Sequence, residues 1–167
     1  MRQIRRNTFE TNSSSSHSLV VTKCDRRYTD EEMRYEFEYR MDDDGYVKLY
    51  SDEAHFGRSP FYILSTFWDK MMYAYACAVP IGEEDVVTEA VQEFIPEFKG
   101  IKYDRKYQYI GTDDCLLFGW LGSAGVTLSE FLSNDKYKVI CDGDEYCIWE
   151  HAKKSGLINL DFIEEEC

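Results

Sequence analysis

Ser59-Pro60-Phe61-Tyr62-Ile63-Leu64-Ser65-Thr66-Phe67-Trp68-Asp69-Lys70-Met71-Met72-Tyr73-Ala74-Tyr75-Ala76-Cys77-Ala78 is the stretch around which any fold of this chain has to be built. Ser59 followed by Pro60 has the form of an N-cap with proline at the first helical position, which predicts a long helix running to about Ala78. Its apolar residues surround most of the cylinder, as in a helix enclosed by the rest of a protein. Asp69 and Lys70 interrupt the apolar run 61–79, so the stretch reads as a core helix and not as a membrane span.

Beyond it, Pro80-Ile81-Gly82 breaks the chain. A second, amphipathic helix follows over 83–95, with Val86, Val87, Ala90, Val91, Phe94 and Ile95 turned inward and Pro96 ending it. Residues 103–110 read as a strand, and Thr127 with Glu130 predicts a capping box for a short helix through Leu132. Segments 136–141 and 145–149 flank Asp142-Gly143-Asp144, a hairpin signal. A brief helix over 151–154, the segment 157–163 and an acidic tail complete that side.

On the N-terminal side, 17–23 reads as a short strand rich in β-branched residues. Over 33–41, Met33, Tyr35, Phe37, Tyr39 and Met41 alternate with Arg34, Glu36, Glu38 and Arg40, the period of a half-buried strand. Asp42-Asp43-Asp44-Gly45 supplies turn chemistry and 46–50 the returning strand. Helix over 29–40 is the alternative, because Thr29 ahead of Asp30-Glu31-Glu32 is a fair N-cap. These elements predict an α+β fold, a mostly antiparallel sheet with two main helices packed on one face. They are read as one domain over 1–167, with a polar N-terminal segment, 1–16, and the acidic tail 164–167.

The 167 residues carry a formal net charge of −13, which sets phosphates against most of the surface and argues against direct nucleic-acid binding. Basic proteins are the natural partners. Thirteen Tyr and ten Phe supply an aromatic-rich core and one aromatic surface, and the alternating segment around Tyr35 and Tyr39 suits either an inner face or a homodimer contact. The six cysteines form no CxxC pair and read as reduced, mostly buried thiols of a cytoplasmic protein. No secretory leader follows the basic start, since polar residues stand where an apolar stretch is required. The sequence implies no cofactor and no metal site; Asp142, Asp144 and Glu145 lack the calcium-loop pattern.

Two groups of residues carry candidate chemistry. The run Asn12-Ser13-Ser14-Ser15-Ser16-His17-Ser18 is dense in hydrogen-bonding side chains, which either fix the backbone leading into the first strand or meet a ligand. It lacks the glycines and following helix of a phosphate cradle, and Ser16 and His17, as neighbours in an extended chain, point to opposite faces. His55 and His151 are lone histidines. The second group is acidic. Asp85, Glu89 and Glu93 recur every fourth residue on the second predicted helix, Glu84 lies beside them, and no Lys or Arg occurs from 83 to 97. Like charges at that spacing weaken a helix, and a merely solvated face is usually mixed in sign. Their spacing of about 5–6 Å is close to that of phosphates along a strand. Asp42, Asp43 and Asp44 extend this surface if the fold brings them near.

The opening Arg6-Asn7-Thr8-Phe9-Glu10-Thr11-Asn12-Ser13-Ser14-Ser15-Ser16-His17-Ser18, with the later Asp142-Gly143-Asp144-Glu145-Tyr146, resembles a group of small proteins of phages and mobile elements of Gram-positive bacteria. The likeness covers the first eighteen or so residues and the late hairpin, and it transfers no catalytic residue. It implies a setting in which small acidic inhibitors of host defence occur, anti-CRISPR proteins among them. The expectation is a non-enzymatic inhibitor in the host cytoplasm. Its acidic residues would occupy the nucleic-acid-binding surface of a basic host protein such as a CRISPR effector nuclease. The alternatives are a small enzyme or nucleotide binder using Asn12 to His17, and a structural component of a phage particle.

Overall fold

The computed structural model describes residues 15–49, 54–56, 62–104, 108, 110–112 and 117–143. Strand β1 (Ser15–Val21) leads through a loop to helix α1 (Asp30–Arg40), followed by β2 (Tyr46–Lys48), β3 (His55–Phe56) and β4 (Tyr62–Leu64). Helices α2 (Phe67–Ala78) and α3 (Glu84–Gln92) come next, joined by a 3-10 turn at Val79–Ile81. After them lie β5 (Gly100–Lys102), β6 (Gly111–Thr112), α4 (Leu117–Ala124), α5 (Leu128–Ser133) and β7 (Tyr137–Gly143).

The fold is α+β. Its main sheet is antiparallel, in the order β1-β7-β4, with His17 opposite Cys141, Val21 opposite Tyr137 and Leu64 opposite Val139. Two small parallel pairs, β2 with β5 and β3 with β6, accompany it. One hydrophobic cluster packs the helices against the main sheet and takes in residues of β2, β3 and β5.

Helix α2 is the centre of that cluster, as its sequence requires: every residue from Phe67 to Ala78 except Asp69 is buried. It starts later than the Ser59-Pro60 signal implied. The cap is Thr66, whose hydroxyl accepts the Asp69 N–H at 3.1 Å while the Asp69 carboxylate accepts the Thr66 N–H at 3.4 Å, a complete capping box. The upstream residues 62–64 are drawn into β4 because β7 offers them a free edge; Ser59 and Pro60 lie outside the described residues. After Ala78 the chain turns through Gly82, at φ +73°, in the left-handed region natural to glycine.

Three other expectations are corrected. Residues 30–40 form a helix and not a strand. Thr29 and Glu32 close a capping box, Met33 and Phe37 one turn apart face the core, and Tyr35 and Tyr39, also one turn apart, face solvent. Asp142 and Gly143 are the last residues of β7, paired with Ser16 and Ser15, and not the turn of a hairpin. Among the described residues from 103 to 110 none is in a strand; Asp104 and Gln108 close a turn on each other instead. Helix α4, rich in glycine, was not expected. The anticipated helix over 151–154, the segment 157–163 and the acidic tail lie outside the described residues.

The turn at 42–45 is as expected. Gly45 adopts φ +89°, and a Cβ there would collide with the Glu97 carbonyl oxygen. The Lys99 N–H donates to the Gly45 carbonyl at 2.7 Å, so the backbone of this turn is pressed against the segment that follows α3. Cys77 and Cys141 are free and buried, as read from the sequence, whereas Cys24 is disulfide-bonded.

Candidate functional site

Helix α3 presents the acidic row. Val87, Ala90 and Val91 face the core together with Ile95 just beyond the helix, which turns the opposite face to water. Asp85, Glu89 and Glu93 lie exposed on that face. Among the described residues none of the three forms an ion pair; Glu93 accepts a hydrogen bond from the Ser129 hydroxyl at 2.6 Å. Glu84 is half-buried, unlike the three exposed carboxylates, and its backbone carbonyl accepts from the Thr88 hydroxyl at 3.1 Å. Thr88 also bonds the Tyr75 hydroxyl; burial pushes that phenol up to about 12. Val86, expected to face inward, is instead 43 % exposed on α3, and Ile81 in the preceding turn is 58 % exposed.

The aspartates of the 42–45 turn are arranged differently. Asp42 accepts the backbone N–H groups of Asp44 and Tyr46 at 3.0 and 2.9 Å, the ordinary work of a turn aspartate. Its carboxylate also pairs with the Lys102 ammonium at 3.0 Å, with Asp44 3.9 Å from the same amine. The Tyr46 N–H and then Lys102 hold the Asp42 carboxyl below the usual range. This cluster carries its own counter-ion; Asp43 is exposed.

The N-terminal run is only partly described. Asn12, Ser13 and Ser14 lie outside the described residues, and Ser15 and Ser16 enter β1 through backbone pairing with β7. His17 is 5 % exposed. Its Nδ1 lies 3.0 Å from the Tyr73 hydroxyl and 3.2 Å from the Thr112 hydroxyl, and its ring meets Tyr73 edge to face. Histidine, α2 and β6 are thereby fastened together beneath the sheet. That geometry suits a packed polar contact of the core.

Two features were not anticipated from the sequence. A groove of about 710 Å³ runs between α1 and the residues that lead into α2, with Tyr28, Tyr35, Ile63 and Phe67 among its walls. At its polar end Arg26 clasps Glu32 through two hydrogen bonds of 3.0 and 2.9 Å, and Lys138 pairs with Asp135 at 2.7 Å. Burial pushes the Asp135 carboxyl up, but Lys138 and Arg26 outweigh it and leave it low. Tyr28 donates to the Ser65 carbonyl and lies 3.3 Å from Asp135; burial raises its phenol far above the ordinary value.

Behind Tyr28, Lys70 is completely buried. Its amine donates to the carbonyls of Phe131 and Asn134 at 2.9 and 2.8 Å, at the C-terminal end of α5, and lies 4.7 Å from the Tyr28 ring centroid. Burial lowers its pKa to about 7. The amine caps the Phe131 carbonyl at the end of α5 and shares the Asn134 carbonyl with the Tyr137 N–H, 3.3 Å away. The sequence signal was the single lysine inside an apolar helix.

Among the described residues no group of three His, Cys, Asp or Glu side chains is placed to hold a metal ion, and no helix is long and apolar enough to cross a membrane. No protein-family model, no curated protein and no solved structure matches this chain.

Proposed function

We propose that the protein is an acidic, phage-type inhibitor that acts in the host cytoplasm by binding a basic, nucleic-acid-handling protein, with an anti-CRISPR protein as the concrete case. The observation that carries this reading is the exposed row Asp85, Glu89 and Glu93, which has no cationic partner among the described residues although α3 is firmly anchored by its inner face. A row of carboxylates left without counter-ions costs the isolated protein a few tenths of a kcal/mol per neighbouring pair. That cost is recovered when a groove built for phosphates meets it. The exposed Val86, on the same helix three residues before Glu89, supplies apolar contact beside the charges. Asp42 and Asp44, already paired with Lys102, contribute less.

The test is a binding and inhibition assay with a CRISPR effector nuclease and its guide complex at low and moderate salt, using D85K/E89K/E93K. The expected result is tight, salt-sensitive association that the triple reversal weakens by an order of magnitude or more, together with loss of inhibition. Unchanged binding and inhibition would remove the row from the account.

The alternative of a small enzyme using Asn12 to His17 draws less support from the geometry. His17 is enclosed by Tyr73 and Thr112, and the groove described above has other walls.

A further inference from the structure

Helix α1 turns only Met33 and Phe37 inward. Its outer face carries Tyr35, 58 % exposed, and Tyr39, 71 % exposed, with their rings edge to face at 5.5 Å between centroids. Two large rings fixed against each other in water form a ready contact surface of low entropy cost, because each has only two side-chain torsions to order. Tyr35 is also a wall of the groove toward α2, so the aromatic face continues into a concave, partly apolar channel.

The charges around the pair are unequal in their engagement. Glu32 is held by Arg26, Glu36 by Arg40 at 2.8 Å, and Arg34 by Glu97. Glu31, one turn before Tyr35, and Glu38, three residues after it, form no ion pair among the described residues. By the 3.6-residue repeat both share the face of Tyr35. Carboxylates beside ring faces exclude phosphates and acidic peptides. They equally oppose self-pairing, since two copies meeting through this face would bring Glu31 and Glu38 against like charges. A guanidinium suits every part: its plane lies on a ring, its N–H groups reach a carboxylate and its aliphatic stem follows the apolar channel. The chain shows the same recognition within itself. Lys102 sits 4.2 Å from the Tyr46 ring centroid while its amine bonds Asp42, and Arg40 sits 4.9 Å from the Trp68 ring centroid while pairing with Glu36.

We propose that the outer face of α1, with the groove below Tyr35, binds an arginine-bearing basic segment of a partner protein. This deepens the reading given above, on which it rests for the partner's charge, and adds a second contact of different chemistry.

The experiment is a titration of the full-length protein with a short synthetic arginine-rich peptide at low salt, and with the same peptide carrying lysine in place of arginine. Tyr35 and Tyr39 are exposed, so Y35A/Y39A should keep the far-ultraviolet dichroism of the parent. It should bind the arginine peptide roughly tenfold more weakly, as two exposed ring–cation contacts imply, while Y35F/Y39F binds like the parent. The arginine peptide should bind better than the lysine peptide. Equal binding by Y35A/Y39A and the parent overturns the proposal, as does a peptide affinity that responds only to D85K/E89K/E93K. A dimer that dissociates in Y35A/Y39A with peptide binding unchanged also overturns it, and identifies a self-contact. If Y35A/Y39A weakens the peptide while the parent protein neither binds nor inhibits the nuclease, this contact stands and the inhibitor reading falls.

Discussion

Lys70 sets the most testable behaviour of any single side chain. An amine enclosed by Tyr28, Phe131 and two carbonyls loses its hydration, and its folded pKa falls to about 7 from the ordinary 10.5. Asp135, Asp69 and Glu130 act to raise it and Lys138 to lower it, but desolvation dominates. The sign follows from proton counts. Between the two values the unfolded chain holds a proton that the folded chain does not, so stability rises with pH across that interval by up to about 1.4 kcal/mol per unit. Below pH 7 both states are protonated and the trend ends. Denaturant unfolding at pH 7, 8 and 9 should therefore show increasing stability, and Lys70→Met should flatten the increase. A parent protein whose stability is level or falling over that range would mean that the amine stays charged where it is buried. The groups that shaped this site were only partly legible beforehand. A lysine within an apolar helix announces something unusual, but its acceptors lie more than sixty residues away, on α5 and just beyond it, and no local pattern pairs them.

At the scale of elements, the lesson lies in α1. The alternation Met33, Tyr35, Phe37, Tyr39 satisfies a period of two, yet Met33 with Phe37 and Tyr35 with Tyr39 are each i,i+4 pairs on different sides of a helix. An alternating run is ambiguous whenever exposed aromatics fill the outer positions, because periodicity cannot tell an inward tyrosine from an outward one. Thr29 and Glu32 held the deciding information, since their capping box satisfies backbone groups only if the helix forms. Helix α2 teaches the same point, with Thr66 and Asp69 outweighing Ser59-Pro60. Thr66→Ala should cost about 1 kcal/mol, as removal of an N-cap hydroxyl does, while Thr66→Ser should retain most of the stability; urea midpoints would read both. No loss in the alanine variant would place the start of α2 elsewhere. Helix α3 was the better forecast element, because its inner and outer faces differ sharply in composition, although Val86, expected inward, is exposed and the helix ends at Gln92; the acidic row was visible from spacing alone, whereas the pairing of Asp42 with Lys102 needed the fold.

For the whole molecule, charge is the governing quantity. Thirty-two acidic residues face nineteen basic ones, and since each ion pair uses one of each, pairing leaves the excess of 13 negative charges unchanged. Exposed pairs are individually weak, so screening removes more self-repulsion than attraction. Raising sodium chloride from about 20 mM to 0.5 M, which contracts the Debye length severalfold, should lift the melting temperature by roughly 2–4 °C per kcal/mol gained. A fall would show that the ion pairs matter more than the net charge. The α+β class was readable in the sequence, since it depends on helix and strand content. The parallel pairing of β2 with β5 and β3 with β6 was not, because each joins segments more than fifty residues apart.

Strand β7 has a consequence for the order in which the protein is made. It is the middle strand of the main sheet, and both β1 and β4 depend on it for their hydrogen-bond partners. A ribosome synthesises those two strands long before residue 143 emerges from the exit tunnel, so their edges stand open throughout most of translation. The sheet is therefore completed only after that residue is released, and a nascent chain stalled earlier would expose two unpaired strands to chaperones or to its neighbours on the same polysome.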